Sequence, residues 1–119
     1  MVPQAATPRL EAGEWPGRIY NDYVWGGYLI WKAPSRPVFI DGRAEVYYPN
    51  KVFEDEMTLH RAAEGWEKVL DRRGVEVVLT ASSDSLAGAL SRSSGWTEAY
   101  RGPVESVFTR RPTSTEPAP

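Results

Sequence analysis

Apolar positions fall into two rhythms along this chain. Val38-Phe39-Ile40, entered through Pro37, and Val75 to Thr80 are continuous β-branched and aromatic runs, the pattern of strands buried on both faces. Arg18 to Asn21 is a shorter strand that ends in Asn21-Asp22 and so delivers the chain to a helix N-cap. Between the runs the period lengthens. Phe53, Met57, His60, Ala63, Val69 and Leu70 lie at helical spacing, with Gly65-Trp66 as a break between two pieces and Gly74 as the stop. Ser82-Ser83-Asp84 then caps an amphipathic helix carrying Leu86, Ala87, Ala89 and Leu90, which Gly95 ends. Finally Trp96 to Tyr100 and Glu105 to Thr109 flank Arg101-Gly102-Pro103, the composition of a hairpin turn.

The segment after Asp22 fits two patterns. Tyr23, Gly27, Ile30 and Trp31 share one helical face, whereas Tyr28 to Trp31 alone fit a buried strand. The short helix is preferred, although each glycine of Gly26-Gly27 weakens it by about 1 kcal/mol. The resulting order is β-α-β-α-β-α-β-β. Alternating strands and helices imply a small Rossmann-like α/β sandwich of three layers, with a mostly parallel sheet and a C-terminal antiparallel hairpin closing one edge. In such a sheet Asn21-Asp22, Asp41-Gly42-Arg43 and Ser82-Ser83-Asp84 meet on the rim where open α/β folds bind ligands. Trp31 and Phe39 are assigned to the core.

Length and composition narrow this picture. The 119 residues suffice for one domain, expected over 17–111. Residues 1–16, with three prolines and little periodicity, read as a flexible segment, and 112–119 as a disordered tail. A formal net charge of -2 gives no broad basic footprint, so nucleic acid is not an expected partner. With no cysteine there is no disulfide framework, thiolate nucleophile or Cys-ligated metal site. No stretch approaches the ~18 apolar residues of a membrane span, and the chain reads as soluble.

The densest chemistry lies between Asn21 and Arg43. Asp22 and Asp41 suit acid/base work or a divalent cation, but equally a helix cap and a turn, with Arg43 satisfying either carboxylate. His60 is the single histidine and has no ligand at metal-binding spacing; it reads as a helix-surface or partly buried residue. Ser82 and Ser83 lack a local base and read as caps. Gly26-Gly27 belongs to no nucleotide-binding glycine motif, so no cofactor is expected; the pair allows close backbone approach instead. Five Trp and six Tyr exceed the needs of so small a core. Some of Tyr20, Tyr23, Trp25, Tyr28, Trp31, Tyr47 and Tyr48 are therefore expected at a contact surface.

Three phrases carry a resemblance: Asn21-Asp22-Tyr23-Val24-Trp25-Gly26-Gly27-Tyr28-Leu29-Ile30-Trp31; Val38-Phe39-Ile40-Asp41-Gly42-Arg43; and Gly95-Trp96, Tyr100, Val107-Phe108, Arg110. Over most of residues 17–111 the chain resembles the soluble C-terminal domain of bacterial polytopic membrane proteins similar to type-C glycosyltransferases. More distantly, Asp22-Tyr23 and Trp25-Gly26 resemble the Trp-Trp-Asp-Tyr-Gly motif of the oligosaccharyltransferase extracytoplasmic domain, with Val24 inserted and the tryptophan pair missing. In those enzymes the catalytic acids and metal ligands lie in membrane-embedded loops. The resemblance thus implies a non-catalytic extracytoplasmic accessory domain, partnered by a membrane-embedded portion, with Asp22, Tyr23, Trp25, Asp41 and Arg43 facing a glycan or peptide acceptor. Two alternatives stand beside it. One is a free-standing metal-dependent hydrolase or phosphoryl-transfer enzyme using Asp22 and Asp41; the other is a structural spacer, which buried aromatics would favour and exposed ones would not.

Overall fold

The computed structural model describes residues 2–36 and 52–111; the expected strand 37–41, Phe39, Asp41, Arg43, Tyr47, Tyr48 and the tail 112–119 lie outside the described residues. A helix α1 (Thr7–Glu11) precedes strand β1 (Ile19–Asn21), a 3-10 turn (Tyr23–Trp25) and helix α2 (Gly26–Lys32). Helices α3 (Val52–His60) and α4 (Trp66–Arg72) lead to β2 (Val77–Ala81), then α5 (Ser85–Arg92) and the hairpin β3 (Trp96–Arg101) and β4 (Glu105–Arg110). From α3 onward the elements follow the sequence reading closely. Gly65 and Gly74 take left-handed backbone angles (φ 88° and 68°) at the break and the stop expected of them.

The described strands form one sheet in the order β1-β2-β4-β3. Among these strands only the β1–β2 pairing is parallel, with Ile19 opposite Val77 and Asn21 opposite Leu79. β4 lies antiparallel to both β2 and β3. The expectation of a mostly parallel sheet is therefore corrected to a mixed four-stranded one. The reason is local: the hairpin docks through its second strand, placing β4 directly on β2 and leaving β3 at the edge.

Side chains alternate across this sheet as the pleat requires. Tyr20, Val78 and Phe108 stand in register across β1, β2 and β4 and enter one apolar cluster with Leu59, Val69, Leu70, Leu86, Leu90 and Trp96. Ile19, Val77, Leu79 and Val107 enter a second cluster with Ala6, Leu10, Trp15, Trp25 and Leu29. Helices α3, α4 and α5 contribute to the first cluster, and α1 and α2 to the second.

Two further corrections follow. The N-terminal segment expected to be flexible is part of the core: Ala6 and Leu10 are fully buried, and Trp15 nearly so. The Ala6 amide donates to the buried Glu105 carboxylate across the fold at 2.8 Å. Pro8 does not oppose the helix because it sits in the first turn, where its missing N–H has no intrahelical role. Trp31, assigned to the core by its helical spacing, is 70% exposed, while Trp25, Leu29 and Ala33 are buried. The helix begins at Gly26 and buries the face carrying Gly26 and Leu29, which turns Trp31 outward.

Arg36 closes this half of the molecule, donating to the carbonyls of Leu10, Trp15 and Gly17 at 2.8 Å each. Gly17 has φ +110°, and a Cβ added there would lie 2.5 Å from the Glu76 Cβ. Gly17→Ala is accordingly expected to cost about 1–3 kcal/mol through backbone strain and the clash, measured as a lowered denaturation midpoint.

Candidate functional site

The chain crosses from β1 to the 3-10 turn at Asp22, at the carboxyl end of the parallel pair. The Asp22 carbonyl accepts the Trp25 amide at 3.0 Å, but its side chain does not cap the following helix as expected. It reaches across to the end of β2, accepting from the Thr80 hydroxyl and the Ala81 amide, both at 3.3 Å. The register explains this. Asn21 pairs with Leu79, so the end of β2 continues past β1 into reach of the Asp22 carboxylate.

Asp84 behaves in the same way. It occupies the N-cap of α5 with an extended backbone, yet its side chain makes no capping hydrogen bond. Its Oδ2 accepts from the Thr80 hydroxyl at 3.3 Å and lies 3.5 Å from His60 Nδ1 at the end of α3. One hydroxyl proton on Thr80 thus faces two carboxylates. Ser82, expected to cap, ties down the hairpin instead, donating to the Gly102 carbonyl at 2.7 Å with Ser106 Oγ also 2.7 Å away.

Ligand atoms of Asp22, His60 and Asp84 all lie within 4.8 Å of one another. They open onto a cleft of about 360 Å³, walled by Val24, Trp25, Ala81, Ser83, Pro103 and Val104. Burial, then the hydrogen bond and charge of Asp84, raise the Asp22 pKa far above the ordinary carboxylate range; the Ala81 and Thr80 donors only partly offset this. Beneath lies the fully buried Tyr20, whose hydroxyl makes a long 3.5 Å contact to Glu56 Oε2. Burial first, and the carboxylates of Glu56, Asp22 and Asp84 after it, hold that phenol protonated.

Of the residues singled out in the sequence, Asp22 and Trp25 line this cleft. Tyr23 opens the 3-10 turn, and Asp41 and Arg43 lie outside the described residues. The convergence of the Asn21-Asp22 and Ser82-Ser83-Asp84 segments is present, carried by Asp22 and Asp84. His60 is the member that sequence reasoning set aside, because its neighbours come from distant segments of the chain. No local sequence signal marked it: Glu56, one helical turn earlier on α3, is buried, but that burial is a property of the fold. Among the described residues no helix is long and apolar enough to cross a membrane. No protein family, no curated protein and no solved structure matches this chain.

Proposed function

We propose that this chain is a non-catalytic, extracytoplasmic accessory domain of a glycosyltransferase-like membrane protein, and that its cleft receives a hydroxyl-bearing acceptor, glycan or peptide. One observation carries the reading. The Asp22 and Asp84 carboxylates sit beside an apolar wall of Val24, Trp25, Pro103 and Val104 in one open cleft. Carboxylate acceptors next to an aromatic and aliphatic surface suit a ligand that presents hydroxyls on its edge and C–H groups on its face. The resemblance over 17–111 supplies the membrane-embedded partner and the extracytoplasmic side. Against the spacer alternative stands the exposure of Trp31 (70%) beside Val24 (78%) and Ile30 (45%), a small apolar patch, although Trp15, Tyr20, Trp25 and Trp96 are buried.

The test is an NMR titration of the isolated domain with glycans, lipid-linked sugar analogues and short peptides, watched at the tryptophan indoles. Saturable shifts at Trp25, absent from the remote Trp96, are expected for at least one class. A Trp25 resonance that stays fixed with all three removes the ligand-binding role.

A further inference from the structure

We infer that Asp22, His60 and Asp84 together bind a divalent first-row metal ion of the zinc class. The inference does not rest on the acceptor reading. It begins from geometry: two carboxylates and an imidazole, contributed by the end of β1, the end of α3 and the start of α5, present ligand atoms within 4.8 Å of one another. The 3.5 Å between His60 Nδ1 and Asp84 Oδ2 is close to the span of about 3.4 Å between two ligands of a tetrahedral ion with bonds near 2.1 Å. The Asp22 carboxylate, within 4.8 Å of both, would close inward to complete the set. The mixed nitrogen and oxygen donors suit zinc, manganese or cobalt better than the all-oxygen preference of calcium or magnesium.

Charge supplies the second argument. Asp22 is 4% exposed, and its donors, the Thr80 hydroxyl and the Ala81 amide, are both neutral. Among the described residues no lysine or arginine pairs with Asp22 or Asp84; His60 alone stands beside Asp84. Elsewhere the same fold neutralises a buried acid fully. Asp55, 7% exposed, takes Arg72 at 2.8 and 2.9 Å and Arg73 at 2.7 Å. Among the described residues two acids at the cleft floor thus stand against one imidazole with no lysine or arginine between them, an arrangement in which a metal ion could take the place of a shared proton.

The diverted cap is the third. Asp is a favoured N-cap because its oxygen satisfies amides of the first helical turn. Asp84 holds the cap position and gives up that bond to turn toward Asp22 and His60. A metal bond would give the Asp84 carboxylate a partner in place of those amides. With three protein ligands and the cleft on the remaining side, the ion would keep open coordination positions facing Val24 and Val104.

Calorimetry on the chelator-treated chain should give saturable binding of one Zn²⁺ per chain, with Mg²⁺ and Ca²⁺ at least ten-fold weaker. His60→Ala and Asp84→Asn should each weaken Zn²⁺ at least ten-fold, whereas Glu64→Gln, an exposed acid outside the cluster, should not. Co²⁺ loading should give visible absorption bands that His60→Ala shifts or abolishes. His60 is half-exposed, with a side chain 47% accessible, so its variant decides the matter if Asp84→Asn fails to fold. The inference is overturned if the chain takes up no Zn²⁺ saturably, or if His60→Ala binds Zn²⁺ as tightly as the unaltered protein.

Discussion

Removing residues 2–16 is expected to unfold the domain rather than trim it. Leu10 and Trp15 close the apolar cluster of Ile19, Val77, Leu79 and Val107, so the deletion strips the cover from one whole face of the sheet. Truncating a buried leucine alone costs about 2–5 kcal/mol, and a buried tryptophan about 3–5. Together these rival the roughly 5–15 kcal/mol of total stability of an ordinary domain. Two polar debts add to the loss. Glu105, 2% exposed, forfeits the Ala6 amide, and Arg36 forfeits the Leu10 and Trp15 carbonyls. Far-UV circular dichroism and urea denaturation of the truncated chain should show no cooperative transition. A truncated chain that melts with the midpoint of the intact one would mean the segment is not core, and Leu10→Ala alone would then be silent as well.

That segment also shows where the sequence was opaque. Pro3, Pro8 and the short spacing of its apolar residues gave the composition of a tail, and a five-residue helix is too brief to show a period. What orders it is tertiary: an i, i+4 pair of Ala6 and Leu10, a tryptophan beyond, and a buried carboxylate almost a hundred residues away. The C-terminal half was legible for the opposite reason. There Gly65, Gly74 and Gly95 punctuate long periodic stretches, and the Val77–Ala81 run leaves little choice but a buried strand. Sheet order was less visible, because alternating elements specify neighbours but not which strand of a hairpin meets the sheet. Trp31 was misplaced by a related ambiguity. Its period fixes a helix but not which face turns inward, and the buried face is that of Gly26 and Leu29.

The candidate site was half legible. Asp22 stood out because it follows a strand, and Asp84 because it precedes a helix, but both were credited with caps that neither makes. Their diversion depends on Thr80, which is unremarkable in sequence and decisive in space: its hydroxyl stands between the two carboxylates. His60 was invisible as a partner because metal-site spacing rules read local sequence, and this cluster is assembled from three separate elements.

Asp22→Asn should stabilise the chelator-treated protein, increasingly so as the pH rises. The groups facing Asp22 are Asp84 at the start of α5, His60 at the end of α3 and the Tyr20 phenol on β1, with Glu56 of α3 beyond it. Burial and the neighbouring Asp84 carboxylate raise the Asp22 pKa from 3.8 to about 8. The native state therefore holds a proton that the unfolded chain has released throughout this window, and stability falls as pH climbs through it. For one group the slope reaches at most about 1.4 kcal/mol per pH unit. Asparagine removes the titration but keeps one acceptor oxygen, and loses about 0.5–1.5 kcal/mol with the second. Denaturation curves of the two proteins should consequently cross: the variant equal or slightly weaker at pH 5, clearly more stable at pH 8, with the gap levelling above that. Parallel curves from pH 5 to pH 9 would show that Asp22 is ionised throughout, its charge already balanced within the fold. A rising gap would instead identify the cleft floor as a place where the fold accepts a cost in stability to keep two carboxylates together, as binding sites do when their ligand supplies the missing charge.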